Sequence, residues 1–241
     1  MTGRGFHAAA TARAAARAVL FLSLIAVRAV AQDSASAPPV KLNAPLDRAA
    51  TIYRNAKSLR ATFDQTLTSP TSKTVRPSAG EYFQRTAGIF AIRYTEPKGD
   101  AIVSDGEALW LYLPSTSKNS VIKMPGAAGS GMNFLAQLLS SPREHYVVGT
   151  VADTTFGGRT HAVYTLTQKN GAAPFLRATM WIGKRDALLW MLETVEPSGM
   201  IRRVRFTAIK PNASVSKAAT TFVVPDGVKI VDQAALLGGK P

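Results

Sequence analysis

Behind residue 31 the chain carries only two histidines, His145 and His161, and no cysteine occurs anywhere in its 241 residues. A metal site built from both histidines and Asp153 is conceivable on paper, but the histidines fall on separate predicted strands. There is no His-Glu-x-x-His run and no glycine-rich phosphate loop. Serine chemistry needs a serine on a sharp, glycine-flanked turn with a histidine and an acid converging on it. Ser104, in Val103-Ser104-Asp105-Gly106, and Ser130, between Gly129 and Gly131, come nearest, and neither lies in Gly-x-Ser-x-Gly. The 15 acidic residues are dispersed, and Asp105, Asp186 and Asp226 sit at turns. These residues predict a protein that is not an enzyme and uses no metal or cofactor.

Large apolar side chains at strand-like spacing are more prominent. Phe90, Ile92 and Tyr94 alternate with Ile89, Ala91 and Arg93, and the first set is read as facing inward. A two-residue turn at Asp105-Gly106 would place Val103 with Ala108 and Ala101 with Trp110 on one face, and Ser104 with Glu107 and Asp100 with Leu111 on the other. The first of these sets, continued by Tyr112, is also read as inner. Such residues either fill a core or line a hollow, and composition does not choose between the two.

The elements that must position them read as follows. From Pro45 to about Thr66, apolar residues recur at steps of three and four, including Leu46, Ile52, Tyr53, Leu59 and Phe63, which predicts an amphipathic helix packed on a sheet. After a Ser/Thr/Pro-rich loop, Thr68 to Ser78, short alternating segments separated by turn dipeptides predict an antiparallel meander. Its strands are drawn at about 80–85, 88–95, 100–104, 107–113, 145–152, 160–168, 174–182, 187–195, 199–209 and 219–224. Between them, a glycine-rich stretch leads into Phe134, Leu135, Leu138 and Leu139, a short helix that either plugs a curved sheet or simply packs on it.

The first 31 residues carry Arg4, Arg13 and Arg17, an apolar run from Ala18 to Val27, and the small-x-small site Ala29-Val30-Ala31. That order predicts a signal peptide cleaved between Ala31 and Gln32. Residues 32–44 read as a flexible leader and 45–241 as one domain. Without cysteine there is no acceptor for a lipoprotein's acyl chains and no disulfide, so the expected product is exported and soluble. Loss of the first 31 residues removes four arginines and no acid, so the net charge of +14 at pH 7 becomes +10. In that compartment it points to phospholipid headgroups, lipopolysaccharide or acidic protein surfaces and not to nucleic acid, or else serves solubility alone.

Residues 80–114 are the point at which a family becomes visible. Gly80, Phe90, Tyr94, Pro97, the run Ile102-Val103-Ser104-Asp105-Gly106 and Leu109-Trp110-x-Tyr112-x-Pro114 follow Ala61-x-Phe63-x-Gln65, and Phe222-x-x-Pro225-x-Gly227-Val228 closes the chain. Together they resemble the periplasmic lipoprotein carrier family, LolA-like proteins. The resemblance implies an α+β fold: an incomplete, half-open antiparallel β-barrel covered by helices and enclosing an apolar cavity.

It also implies a soluble periplasmic carrier that binds the acyl chains of lipoproteins and shuttles them from the inner to the outer membrane. The alternative is a related binding module or sensor for another envelope lipid or hydrophobic ligand. The implied partners are acylated lipoproteins, an inner-membrane lipoprotein-releasing complex and an outer-membrane acceptor lipoprotein, with the carrier a monomer. Because that acceptor needs a cysteine, the missing residue aligns this chain with the mobile carrier. Phe90, Ile92, Tyr94, Trp110, Tyr112, Phe134, Leu135 and Leu138 are the expected lipid contacts, in the cavity or on its lid. Many members carry Arg-Pro before the Phe90 strand, the arginine tethering the lid; here Thr86-Ala87 stands there, and Arg85, one residue early, is the candidate tether.

Overall fold

The computed structural model describes residues 44–126, 133–169 and 175–232, and of Phe134 the backbone alone. The signal segment with Ala31 and Gln32, the leader up to residue 43 and Ser130 lie outside the described residues. Helix α1 spans Pro45–Asn55, with Pro45 in the first turn, where a missing N–H costs nothing, Asp47 near the positive end and Arg54 in the last turn. The predicted helix to Thr66 is too long. From Leu59 the chain is strand β1 (Leu59–Thr68). Leu59, Ala61 and Phe63 fit the helical spacing from α1, yet they also alternate with Arg60, Thr62 and Asp64, and β-branched threonines favour the extended form. Pairing with a strand on each side decides the matter, because it satisfies the backbone groups of β1 along its whole length.

The remaining elements are β2 (Val75–Thr86), β3 (Ile89–Glu96), β4 (Ala101–Ser104), β5 (Ala108–Tyr112), β6 (Ser120–Pro125), α2 (Phe134–Ser140), α3 (Pro142–His145), β7 (Tyr146–Phe156), β8 (Arg159–Gln168), β9 (Arg177–Gly183), β10 (Leu189–Val195), β11 (Ile201–Pro211) and β12 (Lys229–Asp232). All twelve strands form one sheet in the order β12-β6-β5-β4-β3-β2-β1-β11-β10-β9-β8-β7. Neighbours are antiparallel except β12, which runs parallel to β6. Its two edges, β12 and β7, are not joined, so the sheet is the half-open barrel expected, with helices packed on one face. Strands β6 and β12 are additions to the predicted set. The strand drawn at 219–224 is instead a 3-10 turn at Lys217–Thr220 followed by an unpaired segment.

Register corrects the assignment of faces. The Asp105 turn holds four residues, not two: Ser104 pairs with Leu109 and Val103 with Trp110. Asp105 Oδ1 accepts the backbone N–H groups of Glu107 and Ala108 at 2.9 and 2.8 Å, and Gly106 takes φ +99°. A shift of two keeps Ala101, Val103, Trp110 and Tyr112 on one face. However, β3 pairs Ala91 with Val103 and Ile92 with Ile102. Phe90, Ile92 and Tyr94 therefore share the concave face with Ile102, Leu109 and Leu111, whereas Trp110 and Tyr112 point to the opposite, outer face.

There the C-terminal segment crosses the sheet as a strap. Phe222 stacks on Trp110 at 5.4 Å between ring centroids and lies 5.7 Å from Tyr112. Arg93 donates to the carbonyls of Ala219 and Thr221 at 3.0 and 2.8 Å. This outer cluster, with Ala91, Ala101 and Val103, is separate from the main core. Asp105 Oδ2 accepts Trp110 Nε1–H at 2.8 Å and orients the indole for the strap.

Phe222→Ala should lower unfolding stability by about 1–3 kcal/mol, less than for a fully buried phenylalanine, and shift Trp fluorescence while leaving concave-face ligand binding intact; denaturant titration checks this. Partial burial disfavours the Asp105 carboxylate, but hydrogen bonds from Ala108, Trp110 and Glu107 outweigh it and hold its pKa below the ordinary 3.8. That contribution is present above the unfolded-state value and is lost as pH falls through the lower folded-state value. Asp105→Asn should therefore flatten the most acidic part of the stability profile, as followed by acid titration.

Candidate functional site

The central strands turn one apolar row each toward α1 and α2. Leu59, Ala61 and Phe63 from β1, Tyr82 from β2, Phe90 from β3 and Phe206 from β11 join Leu46 and Ala49 of α1 and Leu135, Leu138 and Leu139 of α2 in one core. Gly80 allows this crowding at β1, since a Cβ there would lie 2.5 Å from the Arg93 carbonyl oxygen and 3.0 Å from the Phe63 ring.

Packing is incomplete at one place. A pocket of ≈ 190 Å³ opens on the concave face, lined by Phe63, Gln65, Tyr82, Ile92, Tyr94, Ile102, Leu135, Leu192, Thr194, Arg202, Val204 and Phe206. Its walls are mostly hydrocarbon and aromatic rings, with Phe63 edge-on to Tyr94 at 5.9 Å. Of the residues expected to contact lipid, Ile92, Tyr94 and Leu135 line this pocket. Phe90 and Leu138 are fully buried in the core beside it. Trp110 and Tyr112 lie on the other face, under the strap, and the Phe134 side chain lies outside the described residues. Sequence reading missed the contribution of β10 and β11. In β11 the concave residues Arg202, Val204 and Phe206 alternate with Arg203 and Arg205, and the run of basic residues hides the period of two.

Helix α2, the lid expected from the resemblance, is tied to the sheet by a buried amide. Asn133 caps it, its Oδ1 accepting Ala136 N–H at 3.2 Å. Its Nδ2 donates to Gln84 Oε1 at 3.1 Å and to the Ala87 carbonyl at 2.9 Å. The Tyr82 hydroxyl lies 2.6 Å from Gln84 Oε1 and 2.9 Å from Asn133 Oδ1, its one proton serving one acceptor at a time. Burial, only partly offset by the Asn133 contact, pushes the Tyr82 pKa far above the ordinary phenol value, so it stays a donor.

Among the described residues Arg85 takes no part in this network. It falls at a bulge between Gln84 and Thr86, and its side chain forms no hydrogen bond or ion pair among the described residues. Gln84, two residues from Tyr82 and paired with Phe90 in unbroken register, faces inward by the ordinary alternation of the strand, and its neighbour Arg85 turns away. The tether is therefore built from Asn133, Gln84, Tyr82 and the Ala87 carbonyl. Across the lid, Arg143 of α3 pairs with Asp47 of α1 at 2.8 Å and Arg54 of α1 donates to the Ser140 carbonyl at 3.2 Å.

The residues weighed for catalysis are apart. Ser104 is fully buried and donates to the Gly88 carbonyl at 2.8 Å. His161 stacks on Phe156 at 3.8 Å, His145 ends α3, and Asp153 pairs with Lys184. Among the described residues no three metal-ligating side chains come together, and no helix is long and apolar enough to cross a membrane.

Comparison with known proteins agrees with this geometry. Residues 54–223, from the end of α1 to the strap, match the family of the outer membrane lipoprotein carrier protein LolA. An outer-membrane lipoprotein carrier protein of Leptothrix cholodnii is 29% identical over 181 residues, covering 75% of this chain and 82% of that protein. One from Salmonella paratyphi B is 25% identical over 217 residues, covering 90% and 96%. An uncharacterized conserved protein from Thermus thermophilus shares the fold, with a TM-score of 0.51 and 12% identity over 78% of this chain and 97% of that one. With the family match running through nearly every described element, the chain belongs to the LolA family of outer membrane lipoprotein carrier proteins.

Proposed function

We propose that this protein is a soluble periplasmic carrier that takes the acyl chains of lipoproteins into the concave pocket and shuttles them from the inner to the outer membrane. An inner-membrane releasing complex loads it and an outer-membrane acceptor lipoprotein empties it. The observation that carries this reading is the apolar pocket between the curved sheet and Leu135. Each methylene exposed to water costs about 0.8 kcal/mol, so acyl chains need an apolar container to cross an aqueous space. Unloading then needs only a receptor that holds the chains more tightly, and no bond is made or broken in the carrier.

The pocket at ≈ 190 Å³ is smaller than the roughly 300–1,000 Å³ of ordinary small-ligand sites. Loading several chains therefore requires α2 to lift and Leu135 to leave the pocket. Lifting breaks the Asn133 network and exposes the pocket lining, and incoming hydrocarbon restores the lost apolar burial. The same small volume favours a second reading, a binding module or sensor for an envelope lipid or other hydrophobic ligand that needs less room.

Extraction of the native protein from the periplasm followed by mass spectrometry should recover acylated polypeptide. Recovery of lipid without attached peptide would support the second reading. An inability to release lipoproteins from inner membranes would sink the carrier role. Leu135→Asp should cut lipoprotein capture by tenfold or more. Asn133→Ala should lower stability by about 1–3 kcal/mol, as for a broken buried polar network, yet accelerate uptake of a fluorescent acyl probe, because the closed state is no longer latched. Given that the full chain's net charge of +14 still leaves +10 once residues 1–31 and their four arginines are removed, transfer to either membrane partner should weaken as salt rises.

A further inference from the structure

One end of the pocket is polar. On β11 the concave row runs from Phe206 through Val204 to Arg202, and Arg202 pairs across the sheet with Thr194 of β10. Gln65 of β1 lies opposite Val204 and completes this end. The Arg202 guanidinium is held loosely: it donates to Gln65 Oε1 at 3.4 Å and to Glu196 Oε1 at 3.2 Å. Charge-assisted bonds of this type settle at about 2.7–2.9 Å, and a guanidinium has five N–H groups. Its side chain is one-third exposed, while Thr194, a mostly buried residue beside it, has a hydroxyl that lines the pocket without a protein partner among the described residues. Tyr94 faces the same corner, and burial keeps its phenol protonated even though Arg202 and Gln65 pull the other way.

An otherwise apolar pocket thus ends in under-used donors. Pure hydrocarbon would leave them unanswered, and an acceptor-rich headgroup would answer them.

We propose that Arg202 and Thr194 form a headgroup subsite that recognises the carbonyl oxygens terminating a fatty-acyl chain, ester or carboxylate, with the chain lying toward Leu192, Phe206 and Leu135. The inference rests on the acyl-binding reading above and specifies which way round the ligand lies. Glu196 competes for the same guanidinium, so it tunes affinity from outside the pocket.

The test uses the full mature chain with a neutral apolar dye, N-phenyl-1-naphthylamine, displaced by palmitate or by a tripalmitoyl-cysteinyl lipopeptide. Arg202→Met should weaken palmitate and lipopeptide about tenfold more than it weakens the dye, the loss of one hydrogen bond to a charged group. Arg202→Lys should recover part of the palmitate affinity, and Glu196→Gln should strengthen it severalfold.

A loss confined to palmitate would assign the subsite to free carboxylates, and a loss for both would extend it to esterified chains. Equal losses for dye and acyl ligands, or unchanged acyl affinity in Arg202→Met, would overturn the subsite and leave the carrier reading intact. A wild-type protein that binds the dye but neither acyl ligand would overturn both.

Discussion

In a pleated sheet a residue shares its face with its cross-strand partners, and a slip of one residue moves a whole strand's side chains to the other side. In this molecule that parity governs almost everything else. β1 lies in the interior of a twelve-stranded order, and Leu59, Ala61 and Phe63 define its concave row. Pairing through β2, β3 and β4 then commits Tyr82, Ile92 and Ile102 to the same side. On the other side of β1, pairing commits Val204 and Leu192. The pocket is the place where these rows converge without filling the space between them.

The same parity leaves a second set of apolar groups on the outside, and the molecule deals with it separately. Ala91, Val103 and Trp110 would be an exposed patch on an otherwise strongly basic surface. The strap carrying Phe222 covers them; Arg93 holds its backbone, and Asp105 fixes the Trp110 indole on which Phe222 stacks. The two faces are thereby stabilised by different devices. The outer one is sealed with a fixed segment, whereas the concave one is sealed with a short helix whose cap is a hydrogen-bonded amide network.

That difference accords with the opening of the hollow proposed above. A dense core resists displacement because every lost contact counts, but α2 meets the sheet around a space that is already underpacked. At its N-terminus its polar anchorage runs through Asn133, Gln84 and Tyr82, a few directional bonds. The bulge follows Gln84, so the amide keeps its inward place opposite Phe90 and the irregularity falls on Arg85.

Much of this was legible in the residues themselves. Period-two alternation located most strands to within a few residues, and turn dipeptides such as Gly157-Gly158 and Ser198-Gly199 marked hairpins. Individual motifs such as Val103-Ser104-Asp105-Gly106 carried the family. Other features depend on long-range pairing and were hidden. Leu59 and Phe63 satisfy helical and strand spacing alike, and only β2 and β11 on either side decide between them. Trp110 and Tyr112 alternate as an inner row would, and only their register against Ala91 and Val103 turns them outward. Local sequence determined which residues could form a strand and which of its side chains stand together; which side became the hollow was decided by hydrogen bonds between strands far apart in the chain, because a face has no inside until the sheet curves around something.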